Sequence, residues 1–217
     1  GGGNDTLTGG LGADFFDGGS GDDTINASIG DTIVGGAGVD YISFDLSTAT
    51  QGASLDLTSG QGSGSSPWTG VELISGGFGS GDDGVVVGMQ LAFLDGGGGN
   101  DSLAIDYSGA LADGRTATQI LFNLGSTFSG GAERITLSDG SGSPSSMQIT
   151  GFESYTITGT VGNDHIDATG ADKGNRLAGG AGNDFLRAGL GADFFDGGSG
   201  DDTIFYVGTD DTVIGGD

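Results

Sequence analysis

A nine-residue unit, G-G-x-G-x-D-x-U-x with U a large apolar residue, recurs along this chain and limits its fold more than any other feature. It reads GGLGADFFD at 9–17, GGSGDDTIN at 18–26, GGAGVDYIS at 35–43, GGGGNDSLA at 96–104, GGAGNDFLR at 179–187 and GGSGDDTIF at 197–205. Glycine at the first, second and fourth places lets the backbone turn tightly with positive φ. The residues around U then run as a short strand with U on one face. Two units make one coil of a flattened solenoid, so equivalent residues stack every 18 positions. Asp5 to Asp23, Asp83 to Asp101, Asp184 to Asp202 and Asp193 to Asp211 all keep that spacing of 18. The expected class is therefore all-β, a parallel β-roll or β-helix solenoid.

The U positions predict the core: Leu7, Phe16, Ile25, Ile33, Ile42, Val85, Leu94, Leu103, Ile166, Leu177, Leu186, Phe195, Ile204 and Val213. One buried side chain per unit is a thin core for a backbone with 51 glycines, whose ordering is entropically costly. Charge adds to the problem, because 30 acidic residues face 5 Lys plus Arg and the net charge is −25. Stacked carboxylates about 4.8 Å apart repel, so multivalent cations are the simplest way to neutralise them, and folding is expected to depend on metal.

These units resemble the RTX, or haemolysin-type, calcium-binding repeat. Calcium suits them, taking 6 to 8 oxygen ligands in flexible geometry, whereas magnesium wants a strict octahedron and zinc wants His or Cys. There is one His and no Cys. The resemblance implies several calcium ions, with carboxylate ligands from Asp5, Asp14, Asp22, Asp23, Asp31, Asp40, Asp83, Asp101, Asp164, Asp184, Asp193, Asp202 and Asp211. It implies carbonyl ligands from Gly1, Gly3, Gly10, Gly12, Gly19, Gly21, Gly36, Gly38, Gly97, Gly99, Gly180, Gly182, Gly189, Gly191, Gly198 and Gly200. A single GGxGxD reads equally well as a flexible turn with a solvated Asp; repetition in register favours ligation. Ala27 to Val34 is one residue short and Asp164 to Asp184 spans 20, so sites beside Asp31 and Lys173 are the irregular ones.

One continuous solenoid is expected, divided as a roll at 1–43, a wider β-helix segment at 44–77, a short roll at 78–104, a second wider segment with inserted loops at 105–158, and a roll at 159–217. The two wider segments align: SFDLS at 43–47 with AIDYS at 104–108 (offset 61), LDL at 55–57 with FNL at 122–124 (offset 67), and GVE at 70–72 with GFE at 151–153 (offset 81). The growing offset places 20 inserted residues in loops around LADGRT and SDGSGSPSS. Alternating apolar residues such as Leu55, Leu57, Phe122 and Leu124 predict half-buried strands. Residues 87–95 keep Leu94 as U but lose the glycines and Asp, so that half-coil is expected to close by packing alone.

Residues 11–25 and 190–204 are identical, and 1–25 agrees with 180–204 at 21 of 25 positions. A parent protein with a unit of about 180 residues follows as the expectation, the chain being an excised piece that opens within a repeat. No phosphate-binding cluster of Lys and Arg exists for nucleic acid, and no apolar run approaches the roughly 20 residues of a membrane span.

Catalysis finds no support. His165 follows Asp164 at an outward place, Ser lacks a GxSxG elbow, and Glu72, Glu133 and Glu153 are scattered. An enzymatic groove would have to be built from Asp45, Asp56 and Asp106. The resemblance implies a structural unit of a secreted or surface-attached bacterial protein, exported by type I secretion: a rigid spacer in an adhesin, or a building block of a surface layer. Neighbouring copies of the same unit are the expected partners. The alternative is calcium-dependent adhesion to surface polysaccharide or protein through loops near 111–116 and 139–146, with Trp68 capping or plugging the solenoid.

Overall fold

In a computed structural model, the residues described are 1–10, 12–28, 30–56, 61–62, 68–87, 91–106, 108, 119–123, 133–138, 145–205 and 208–217. They form strands, turns and bends and no helix, and therefore no helix long and apolar enough to cross a membrane. The predicted loop at 111–116 and residues 139–144 of the one at 139–146 lie outside the described residues, as do Leu57, Leu124 and the side chain of Trp68; Ser145 and Ser146, expected in that loop, instead open the strand Ser145–Thr150, where they pair with Leu137 and Thr136.

Three sheets form two sides that face each other across the core. One has eleven strands; opposite it run an eight-stranded and a three-stranded sheet. Consecutive half-coils alternate between the two sides, and each strand pairs in parallel with its equivalent one coil on. Thr6–Thr8 pairs with Thr24–Ala27, which pairs with Tyr41–Asp45; Arg176–Ala181 pairs with Phe194–Ser199, which pairs with Thr212–Ile214. The register is the expected one, with Leu7 beside Ile25, Leu186 beside Ile204, and Leu177 beside Phe195 and then Val213. The short coil keeps the stack, since Phe16 pairs with Ile33 and Ile25 with Ile42, and so does the long one, with Ile166 beside Leu186.

The inward residues of both sides meet in one core. Ile25, Ile33, Ile42, Leu94, Ile166, Leu177, Leu186 and Phe195 are fully buried. Val213 departs from the expected core, being 42% exposed, because among the described residues no strand stacks beyond its rung. Aromatic edges fill the wider parts, where Phe44 meets Phe78 and Phe122 meets Tyr155, with ring centroids 5.4 and 5.3 Å apart.

The wider segments hold antiparallel meanders that run against the grain of the roll. In the second, Gln119–Asn123, Glu133–Ser138 and Ser145–Thr150 form a meander whose first strand pairs in parallel with His165–Ala168 and whose last pairs in parallel with Leu91–Asp95. The first segment makes the same outer connections, but its described strands divide between two sheets. Ser54–Asp56 pairs in parallel with Gly84–Val87 and antiparallel with Gln61–Gly62, and Trp68–Thr69 returns to pair with Thr32–Ala37. Each meander thus bridges the coil before it and the coil after it. The first lies on the side of the smaller sheets and the second in the eleven-stranded sheet.

Candidate metal centre

The recurring geometry of the turns starts from the sixth-place Asp. Its Oδ1 accepts the backbone N–H of the equivalent residue one coil earlier, which ties successive turns into ladders. On one edge the N–H of Asp5 donates to Asp23, Asp23 to Asp40, Asp164 to Asp184 and Asp184 to Asp202, at 2.8, 2.8, 2.8 and 2.9 Å. On the other edge Asp14 donates to Asp31, Asp83 to Asp101 and Asp193 to Asp211, at 2.8, 2.7 and 3.0 Å. Hydrogen bonds to a charged acceptor are among the stronger ones, so each ladder fixes the spacing of its carboxylates.

The second oxygen divides the turns into two kinds. In Asp14, Asp31, Asp164 and Asp211 it accepts a local N–H, from Gly10, Ser28, Thr160 and Gly208 at 3.0, 2.6, 2.6 and 2.8 Å. These turns close on themselves. In Asp23, Asp40, Asp83, Asp101, Asp184 and Asp202 the Oδ2 atom is buried and has no hydrogen-bond partner. A buried, unpaired carboxylate oxygen is strongly unfavourable, and these six form three stacked pairs. The irregular coil beside Asp31, and the Asp164 turn that opens the long coil holding Lys173, belong to the self-closing kind: Ser28 and Thr160 supply hydroxyl as well as N–H to the carboxylate.

The glycines build the cradle around that oxygen. A Cβ on Gly18 would collide with Asp23 Oδ2 and lie 2.5 Å from the carbonyl oxygen of Gly35. Only glycine therefore lets a carboxylate oxygen and a carbonyl from the next coil converge there. Gly179, Gly197 and Gly159 repeat the arrangement with Asp184, Asp202 and Asp164. At the second place, Gly198 has φ +96° and a Cβ there would strike the carbonyl of Gly180. Of the predicted glycines, Gly3, Gly12, Gly19, Gly21, Gly36, Gly38, Gly97, Gly99, Gly180, Gly182, Gly191, Gly198 and Gly200 have positive φ, whereas Gly1, Gly10 and Gly189 are not among the positive-φ positions.

Burial sets the electrostatics. It pushes the carboxyls of Asp101 and Asp184 up to about 6, and those of Asp40, Asp164 and Asp193 up as well, against the lowering effect of the ladder N–H groups. Neighbouring carboxylates add to the rise at Asp101, from Asp83, Glu153 and Asp82. Among the described residues no three Asp, Glu or His side chains gather at one point, so a cation in a turn would draw most of its ligands from carbonyls. Such a set of hard oxygens fits calcium.

Several ladder members escape the motif. Glu72 and Glu153 accept the N–H of Asp40 and Asp101 at 2.9 and 2.7 Å, although they look scattered in the sequence. Asn175 takes an Asp place, accepting from Tyr155 and donating to Asp193 at 3.0 and 2.7 Å. Its distance of 18 from Asp193 was the available signal. Asp22 lies in an exposed outer row, accepting from Val39 and facing Asn4; Asn163, Asn183 and Asp201 form a similar row. His165 sits on the outer side with its ring stacked on Phe185, centroids 4.4 Å apart and planes within 4°.

Comparison with known proteins agrees with this geometry. Residues 1–31, 30–46, 93–104 and 169–204 match the family model of the RTX calcium-binding nonapeptide repeat, in four copies. No curated protein matches the chain. The residues between those stretches include the meanders and Asp83, whose turn is nevertheless stacked on that of Asp101. With its parallel stack of glycine turns and Asp ladders, this chain carries RTX calcium-binding repeats and is a calcium-binding repeat module.

Proposed function

We propose that this module works outside the cell, as a rigid, elongated spacer or surface-assembly unit of a secreted or cell-surface bacterial protein, and that calcium folds it there. The observation carrying this reading is the set of six buried Asp oxygens that have no hydrogen-bond partner among the described residues. At submicromolar calcium their repulsion favours an open chain suited to type I export. At millimolar calcium each ion that binds only the folded form stabilises it by mass action. A parallel stack in which each coil touches only its neighbours suits a spacer that extends by adding coils. No catalytic role is assigned, and neighbouring copies remain the expected partners.

A second reading, calcium-dependent adhesion to a glycan or protein, is favoured by one observation. His165, Phe185 and the 51% exposed Phe205 line up on the outer side, with the Phe185 and Phe205 centroids 5.3 Å apart. Small-angle scattering and affinity chromatography in calcium separate the two. An elongated particle that passes through immobilised polysaccharide supports the spacer. Calcium-dependent retention that Phe205→Ala abolishes supports adhesion.

A further inference from the structure

Resting on the calcium reading, we propose that Glu72 and Glu153, which lie outside the nonapeptide repeats, act as second carboxylate ligands for calcium held at Asp40 and Asp101, where the chain returns from its two meanders. Both returns are built alike. The N–H groups of Glu72 and Leu73 donate to the carbonyl of Asp40 at 3.1 and 3.0 Å, and those of Glu153 and Ser154 to that of Asp101 at 3.1 and 3.2 Å. In each a positive-φ glycine stands two residues before the Glu, with φ +62° at Gly70 and +72° at Gly151. The carbonyls of Gly70 and Gly151 press on Gly35 and Gly96, as the Gly35 carbonyl presses on Gly18 within the roll.

Into each return points an unsatisfied acid. Asp40 and Asp101 are 0% and 1% exposed, and the Oδ2 of each lacks a partner. The ladder alone does not call for a second carboxylate at this place, because neutral Asn175 serves as acceptor for Tyr155 in the same kind of ladder. Glu72 and Glu153 have no ion pair with any described residue. Placing a glutamate against a buried, unpaired aspartate raises the repulsion unless a cation lies between them. The geometry therefore supplies two carboxylates and a turn carbonyl at each return, with water available to complete a calcium shell. An ion there would lock the last strand of each meander to the preceding roll.

The test is calcium stoichiometry by equilibrium dialysis of the intact chain, alone and as E72Q/E153Q. Glutamine keeps an acceptor for the Asp N–H and removes the charge. The proposal expects a variant that still folds in calcium and binds one ion fewer for each glutamate replaced. Unchanged stoichiometry and affinity would overturn it while leaving the calcium reading intact; a wild-type chain that binds no calcium would overturn both. Should the double variant fail to fold, E72Q alone decides, with loss of a single ion expected and full retention contradicting the proposal.

Discussion

At the scale of single residues, the first-place glycine and the sixth-place aspartate act as one device, since the Cα of Gly18 can approach Asp23 only in the absence of a side chain. Second-place glycines carry a different constraint, which makes a sharp contrast available. Gly198→Ala, with φ +96° and the Gly180 carbonyl in the way, is expected to destabilise by about 1–3 kcal/mol or more. Gly215→Ala, which meets nothing within 4 Å, should change stability by less than about 0.5 kcal/mol. Urea denaturation in calcium reads both. Protonation gives a second prediction. Asp101 and Asp184 have their folded-state values raised from 3.8 to about 6, so without calcium their contribution favours folding fully below the unfolded value and is lost as pH rises through about 6. Calcium requires the ionised form, so its binding weakens over the same range as pH falls. The calcium midpoint for folding should be higher at pH 5.5 than at 7.5, while the metal-free chain becomes more compact; a midpoint that ignores pH would contradict the assignment. The Asp ladders were legible because a spacing of 18 repeats in the sequence. Glu72 and Glu153 were hidden, because their place is defined by which coil they stack on and no nonapeptide marks it, whereas Asn175 was within reach through its spacing of 18 from Asp193.

Among the elements, the U positions were readable from periodicity and the strand direction in the wider segments was not. Alternating apolar residues indicate a half-buried strand but not whether it runs parallel or antiparallel, so the meanders emerge only in three dimensions. Their internal similarity has a structural counterpart. Tyr41–Asp45 and Ser102–Asp106, in which the matching stretches begin, lie on opposite sides of the solenoid. Both are followed by strands that pair in parallel with the coil before and the coil after, but the second copy is displaced by an odd number of half-coils. Stacked position also predicts how much each apolar residue contributes. Leu186→Ala, at a fully buried rung, is expected to cost about 2–5 kcal/mol. Val213→Ala, 42% exposed, should cost under about 1 kcal/mol. Equal effects in urea titrations would show that the rungs are not a shared core.

Over the whole molecule, the two meanders oppose each other. The first lies among the smaller sheets and the second in the eleven-stranded sheet, so the extra strands fall on opposite sides of the core. The ends of the chain repeat each other, for 15–20 and 194–199 carry the same residues and take the same six-residue strand. What holds such a stack together is a thin apolar column and ladders of carboxylates under a net charge of −25, and the account makes calcium the component that turns repulsion into cohesion. The most direct test is sedimentation velocity of the 217-residue chain in EDTA and in about 5 mM calcium. The account predicts a slow, expanded species in EDTA that becomes a faster, compact one on adding calcium; the same sedimentation coefficient in both would contradict it.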